Sequence, residues 1–198
     1  ALEKYSVNIE KIRTNLSILE YDNTVMLFDV IECFRMYGLF FRMSEELKEY
    51  MSELGTEGRL IKIQYEEIML NKNESFEALI RDYQKGCVKI EKIVNKVKNL
   101  TKEDLLDDEK ILNLLGYDIN VINLDEKIEP RGYGLLNNIS KITKKDKETL
   151  IKEFSGVQSI LAASVQEVTE LKGISKFKAL HISKALRRIK NKTALDRE

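Results

Sequence analysis

Apolar residues recur at intervals of three and four along most of the chain, which is the spacing of one face of an α-helix. The first such stripe runs from Leu2 through Ile9 and Leu16 to Leu19. No segment shows the apolar–polar alternation of a half-buried strand. Because the 198 residues include only one proline and nine glycines, the sequence predicts long helices with few turns, and so an all-α fold.

The most apolar stretch, residues 25–41, predicts a buried helix rather than a membrane span. Asp29, Glu32 and Arg35 interrupt it, and each such charge costs about 2.5–3.5 kcal/mol at the centre of a bilayer. Gly38 is expected to bend or end this helix, because glycine is a poor helix former. We therefore expect no membrane partner.

A further long helix is predicted from Arg59 onward, and its second half carries a regular apolar seam. The seam alternates spacings of four and three and consists of Phe76, Ile80, Tyr83, Cys87, Ile90, Val94 and Val97. A seam of this kind needs an apolar partner, which is either an earlier helix or another subunit. Packing within the chain is the favoured interpretation.

The nine residues Leu171–Ala179, LKGISKFKA, match the pattern of a helix-hairpin-helix motif. Gly173 can leave a helix in the left-handed conformation, where another residue would lose about 1–2 kcal/mol. The next helix then begins near Ser175, so that unpaired amides and the positive end of its dipole face outward. Lys176 and Lys178 add positive charge, and the motif predicts binding to a phosphate backbone.

A faint internal repeat at an offset of 32 residues supports two hairpins in tandem. Ile139, Ile142, Leu150 and Phe154 fall opposite Leu171, Ile174, Ile182 and Leu186. Thr143 likewise falls opposite Ser175, but Lys141 stands where the second copy has Gly173. The first turn is therefore either strained or built differently, and we interpret it as mainly structural.

Charge is segregated along a chain whose total is neutral. The whole chain holds 33 basic and 33 acidic residues. Residues 131–198 hold 15 Lys and Arg against 7 Asp and Glu, a net of +8, so residues 1–130 carry 18 against 26, a net of −8. The positive excess coincides with the hairpins, which favours DNA as their partner over solubility alone.

The sequence offers little for metal or nucleophilic chemistry. Cys33 and Cys87 lie on apolar helical faces and are expected to pack as small hydrophobic residues. His181 is the single histidine, so we propose no His/Cys metal cluster and no metal site. His181 is expected to be a packed or surface residue of the second hairpin.

Several segments together resemble the DisA family of DNA integrity scanning proteins. They are LEKY, TNLSILEYDN and ELGTEGRLIKIQYEEIM near the start, PRGYGLLNNISKI from Pro130, and LAASVQEVTELKGISKFKA with LRRI near the end. The resemblance runs in the same order along essentially the whole chain and matches the C-terminal portion of that family.

The resemblance implies a parent enzyme of three parts. An N-terminal diadenylate cyclase domain, using ATP with Mg or Mn, makes cyclic di-AMP and assembles a homo-oligomer. An elongated helical linker then carries a helix-hairpin-helix domain that binds DNA, especially branched junctions, and junction binding suppresses synthesis. Such a protein is expected in the cytoplasm, associated with the nucleoid.

This chain looks like the linker and the DNA-binding domain without the cyclase. The Asp-Gly-Ala and Arg-His-Arg motifs of the cyclase are absent from the sequence, so no catalytic residue is carried over and no cofactor is expected in this chain. We predict an elongated helical linker bundle over residues 1–129, followed by a compact tandem helix-hairpin-helix domain over residues 130–198.

The predicted DNA contacts come from both hairpins. The second contributes Lys172, Gly173, Ile174, Ser175, Lys176, Lys178, Lys184, Arg187 and Arg188, and the first contributes Lys141, Thr143, Lys144 and Lys145. Compared with the family, Ser175 replaces a usual second glycine and Gly134 replaces an arginine. Contacts confined to phosphates carry little sequence information, so binding is expected to be independent of base sequence.

Two other functions remain open from sequence. The tandem hairpins can be a structural or docking fold in a protein-interaction scaffold, with the apolar seam pairing subunits. A glycosylase built on the same motif would need a catalytic Asp beyond the hairpin. Asp196 lies at roughly that distance, but in a polar tail, and this alternative is disfavoured.

Overall fold

The computed structural model describes the backbone of residues 2–54, 59–86 and 88–195, and these ranges form an all-α fold, as predicted. The helices are α1 (Leu2–Asp22), α2 (Leu27–Leu54), α3 (Arg59–Tyr83), α4 (Ile90–Lys98), α5 (Lys102–Leu106), α6 (Asp108–Leu115), α7 (Tyr133–Asn137), α8 (Lys144–Glu153), α9 (Val157–Ala162), α10 (Val165–Glu170) and α11 (Lys176–Leu195).

Helix α2 is the buried helix that the sequence predicts. It begins where the Met26 amide donates to the Asp29 carboxylate at 2.8 Å, and ten of its residues, from Leu27 to Ser44, are buried. Among the described residues, no helix has the length and apolar character to cross a membrane.

Gly38 does not end α2, which continues to Leu54, so that part of the expectation is wrong. Its role is steric: a β-carbon at Gly38 would lie 2.3 Å from the Leu105 Cδ2 atom. Leu105 is fully buried and cannot easily move aside, because protein interiors are close-packed. Gly38 therefore allows α5 to pack directly on α2.

The predicted long helix with a continuous seam is wrong, because α3 ends at Tyr83 and α4 begins at Ile90. Two hydrogen bonds hold the intervening connection: the Lys85 amide donates to the Leu115 carbonyl at 2.8 Å, and the Tyr117 hydroxyl donates to the Tyr83 carbonyl at 2.7 Å. The apolar spacing continues across a break in the helix, so periodicity alone conceals the break.

The seam packs within the chain, as favoured from sequence. Its buried members include Phe76, Ile80, Tyr83 and Val97. The Phe76 ring lies 4.7 Å from Phe34, 4.9 Å from Tyr37 and 5.2 Å from Phe41, measured between ring centroids. These rings form an aromatic core between α2 and α3, so the buried part of the seam is not available for pairing subunits.

Cys33 is buried and forms no disulfide, as predicted for a small hydrophobic residue. Cys87 lies outside the described residues. No group of three or more His, Cys, Asp or Glu side chains that could hold a metal ion occurs in the part of the chain that the structure describes.

The chain divides into two compact units. The first comprises Ala1–Leu16 and Met26–Glu126, and the second comprises Ser17–Val25 and Lys127–Glu198. The end of α1 thus belongs to the second unit, where Gln158 donates from its side-chain amide to the Glu20 and Tyr21 carbonyls at 2.9 Å each.

The second unit has its own apolar core, built from α7 to α11. Its buried members are Leu135, Leu136, Ile139, Leu150, Val157, Ile160, Val168, Ile174, Ala179, Ile182 and Leu186. Leu171, Ile142 and Phe154 pack against this cluster from its edge. Both copies of the 32-residue repeat therefore direct their matched apolar residues into one core.

Candidate nucleic-acid interface

The second turn, residues 171–175, has the geometry that the sequence predicts. Gly173 adopts a left-handed conformation with φ of +94°, and the Ile174 amide donates back to the Leu171 carbonyl at 3.2 Å. Helix α11 starts immediately afterward at Lys176. The Ser175 hydroxyl caps it by accepting from the Lys178 amide at 3.3 Å, so the helix begins beside Ser175, as predicted.

The space above the second turn is open. A β-carbon built on Gly173 would meet no atom within 4 Å, so packing against the protein is not what requires glycine here. Within the described part of the chain, no acceptor takes a hydrogen bond from the Gly173, Ser175 or Lys176 amides. These donors and the positive end of the α11 dipole together form an exposed surface of partial positive charge, which suits an anion.

Exposed cations surround this surface. Helix α11 contains seven Lys and Arg and no Asp or Glu. The predicted contact residues Lys172, Lys176, Lys184, Arg187 and Arg188 are all exposed, and none of them forms an ion pair with another described residue. Their charge is available to an external anion.

Lys178 is placed differently from its predicted neighbours. Its ammonium lies 2.8 Å from the Asp146 carboxylate, which is almost fully buried. Asp146 sits on α8, so this ion pair joins the two hairpins. Ile174, also predicted as a contact, is buried in the core, and only its backbone can face a ligand.

The first turn, residues 139–143, repeats the geometry of the second. Lys141 has a φ of +62°, the left-handed conformation that Gly173 adopts 32 positions later. Thr143 caps α8 by accepting from the Asp146 amide at 3.2 Å, just as Ser175 caps α11. Of the two possibilities open from sequence, the strained turn is confirmed, because a residue with a β-carbon occupies the glycine conformation.

The two turns differ in whether their backbone amides have a hydrogen-bond acceptor within the protein. The Asp146 carboxylate accepts from the Thr143 amide at 2.7 Å and from the Thr143 hydroxyl at 2.8 Å. In the second turn the matching position is Lys178, which cannot accept. The first turn therefore carries an internal anion where the second leaves its donors open.

Asp146 remains ionised because its partners outweigh its burial. Burial alone would raise the pKa of this carboxyl, but hydrogen bonds from Lys178 and from the Thr143 amide and hydroxyl lower it below its ordinary value. Sequence reasoning missed Asp146. The signals were the Thr-x-x-Asp capping pattern and the 32-residue offset that places Asp146 opposite Lys178.

The remaining predicted positions of the first hairpin are at the surface. Lys141, Thr143, Lys144 and Lys145 are exposed. His181 bridges the hairpins, with its Nε2 atom 2.8 Å from the Ser140 carbonyl oxygen, and is thus tied to the first turn. Asp196 lies outside the described residues.

Comparison with known proteins identifies relatives of the whole chain. Residues 1–124 match the family described as the DisA bacterial checkpoint controller linker region. The chain is 36% identical over 198 residues to the DNA integrity scanning protein DisA of Bacillus subtilis, covering 100% of this chain and 55% of that protein. Similar matches are the proteins of the same name from Clostridioides difficile, 33% identical with 99% and 55% covered, and Acetivibrio thermocellus, 35% identical with 98% and 54% covered. The chain spans about half the length of these curated relatives.

Proposed function

The chain belongs to the DisA family, and we propose that its second unit binds the DNA backbone through the second turn without reading base sequence. The relatives are named for DNA integrity scanning, and the second turn offers the chemistry that phosphate recognition needs. The proposal is carried by one observation: backbone amides without a described acceptor, a left-handed glycine and exposed cations lie together at the start of one helix.

The open amides define the type of ligand. The Gly173, Ser175 and Lys176 amides are donors without described acceptors, and the helix dipole adds partial positive charge at the same place. Because Gly173 presents no side chain, a phosphate oxygen can approach the backbone closely. Backbone donors of this kind position a nucleic acid but carry no base information.

The cations extend the contact along the strand. Lys184, Arg187 and Arg188 lie two to three turns along α11 from Lys176, which corresponds to roughly 12–18 Å at 1.5 Å per residue. A helix that bears only positive charge over this length suits a polyanion better than a single phosphate. Lys172 and Lys176 would neutralise the phosphates nearest the turn.

The first hairpin is assigned a supporting role. Its turn amide at Thr143 is already occupied by Asp146, and Asp146 also takes up the Lys178 charge. Lys141, Lys144 and Lys145 remain exposed and would add general positive charge. Phosphate binding is thus concentrated at the second turn.

We also propose a setting for this activity. In a full-length protein of the DisA type, this region would be the sensing part of a diadenylate cyclase that makes cyclic di-AMP from two ATP molecules. Binding to branched DNA would follow if the domains of a homo-oligomer engage several arms together. The chain would then act in the cytoplasm beside the nucleoid.

Fluorescence anisotropy with a four-way junction, a linear duplex and a single strand tests the proposal. If about four phosphates are neutralised, affinity should fall by roughly a hundredfold between 50 and 200 mM salt. Lys92→Gln, which removes an exposed charge from α4 in the first unit, is the matched control and should leave binding unchanged. Failure to bind any of the three DNAs at 50 mM salt would contradict the proposal.

One observation favours protein interaction as a second function. Leu60, Ile63 and Leu70 share one face of α3 and are 77%, 58% and 65% exposed. An apolar stripe of this kind is typical of a contact surface. If it pairs copies of the chain, sedimentation velocity should show a concentration-dependent dimer that Leu60→Gln and Leu70→Gln together abolish.

A further inference from the structure

Phe177 is an exposed aromatic residue in the first turn of α11. Its side chain is 82% exposed, whereas Phe34, Phe40, Phe41 and Phe76 are fully buried. It follows directly on Lys176, whose amide belongs to the open surface of the second turn. The matching residue of the first hairpin, 32 positions earlier, is Lys145, so the aromatic ring is specific to the hairpin with open amides.

The neighbours of Phe177 on α11 define the kind of partner that suits it. Residues three, seven and eleven positions later share its face of the helix, and these are Leu180, Lys184 and Arg188. Leu180 is 48% exposed, and both cations are exposed. The face therefore begins with a flat apolar ring and a leucine and continues with exposed positive charge.

We propose that Phe177 stacks on an unpaired nucleobase of the strand whose phosphate the second turn binds. This inference rests on the proposed function and adds to it a source of selectivity for DNA structure. Aromatic side chains bind single-stranded DNA by stacking on the face of any base, so the contact is tolerant of sequence. Cations on the same helix face hold the adjoining backbone, and this charge favours a nucleic acid over an uncharged apolar partner.

Stacking on Phe177 distinguishes paired from unpaired DNA. In a continuous duplex every base is stacked between its neighbours and is inaccessible to a ring at the backbone. At a gap, a bulge or the centre of a branch, a base can leave the stack at low cost. Phe177 thus adds affinity only where the duplex is interrupted, and this preference requires no oligomer.

The test compares two duplexes that differ by one unpaired 2-aminopurine, with wild type, Phe177→Ala, Phe177→Leu and Phe177→Trp. Wild type should bind the bulged duplex about tenfold more tightly than the paired one, a difference of about 1.4 kcal/mol, and should quench 2-aminopurine fluorescence. The Ala and Leu variants should lose both the preference and the quenching, whereas Trp should retain them. Because Phe177 is exposed, urea unfolding should show unchanged stability in all variants.

The outcomes separate this inference from the proposed function. If wild type binds both duplexes in a salt-dependent way but shows no preference for the bulge, the stacking role alone is overturned. The same holds if Phe177→Ala retains the preference for the bulge. Absence of binding to either duplex at 50 mM salt would overturn the proposed function as well. Phosphatidylserine vesicles test a membrane surface as the alternative partner. If wild type binds the vesicles, Phe177→Ala weakens that binding and wild type shows no preference for the bulge, the ring is assigned to a membrane surface and stacking is overturned.

Discussion

Lys141 carries the same backbone conformation as Gly173 at a cost that Gly173 does not incur. Its φ of +62° brings the β-carbon close to the following carbonyl oxygen, which costs about 1–2 kcal/mol in a residue other than glycine. The exposed lysine side chain makes no described ion pair that would offset this cost. The first hairpin therefore keeps its turn because α7, α8 and their shared core impose it.

Replacement of Lys141 by glycine should stabilise the protein. The relief of strain is partly offset by the greater freedom of glycine in the unfolded chain, so the free energy of unfolding should rise by about 0.5–1 kcal/mol. Urea denaturation measures this change. Lys141→Ala is the control, because it removes the charge but keeps the strain, and it should give no gain. An equal gain in both variants would show that charge, not conformation, sets the effect.

At single positions, the sequence predicts the backbone conformation correctly where the residue type strongly favours one conformation. Gly173 indicated a left-handed turn, and Ser175 indicated the start of the next helix; both are present. Lys141 was ambiguous, because lysine itself gives no sign of a left-handed conformation. The strain there is imposed by tertiary packing, which local propensity does not contain.

At the scale of elements, the ion pair between Asp146 and Lys178 joins the two hairpins at their matched third helical positions. Asp146 also caps α8 through Thr143, so one carboxylate stabilises a helix start and the contact between α8 and α11. Its depressed pKa means that this contribution is fully present above the ordinary pKa of aspartate, about 3.9, and is lost as pH falls through the lower folded value.

Asp146→Asn should lower the free energy of unfolding by about 1–3 kcal/mol at pH 7, because it removes a charged hydrogen-bond acceptor and leaves Lys178 unpaired. The difference from wild type should shrink as the pH is lowered below about 4. Denaturation at a series of pH values measures it. Glu148→Gln, at an exposed position of the same helix, should show no comparable effect, and a difference that does not depend on pH would contradict the assignment.

Element boundaries show what periodicity can predict. The stripe of α1 and the apolar run of α2 each correspond to one helix, because the pattern there coincides with continuous burial on one side. The seam from Phe76 to Val97 does not, because α3 and α4 each bury their part of it against α2. Gly86 in the connection was the available local sign of a break.

Over the whole chain the net charge is zero, but the two parts of the sequence carry opposite net charge. The positive excess of +8 lies in residues 131–198. The composition of those residues suits a DNA-binding unit. The boundary between the predicted domains, residues 129 and 130, lies close to the division at Glu126 and Lys127. That Ser17–Val25 belongs with the second unit was not predictable, because α1 is one uninterrupted amphipathic stripe.

If phosphate binding is concentrated at the second turn, two double variants that remove equal charge should differ in their affinity for DNA. Lys172→Gln with Lys176→Gln removes two charges there, and Lys144→Gln with Lys145→Gln removes two from the first hairpin. Anisotropy with a linear duplex across a salt series should show, for the second-turn variant, weaker binding and a salt slope shallower by about two. The first-hairpin variant should remain close to wild type, and equal losses in both would show that overall positive charge, not the second turn, binds the DNA.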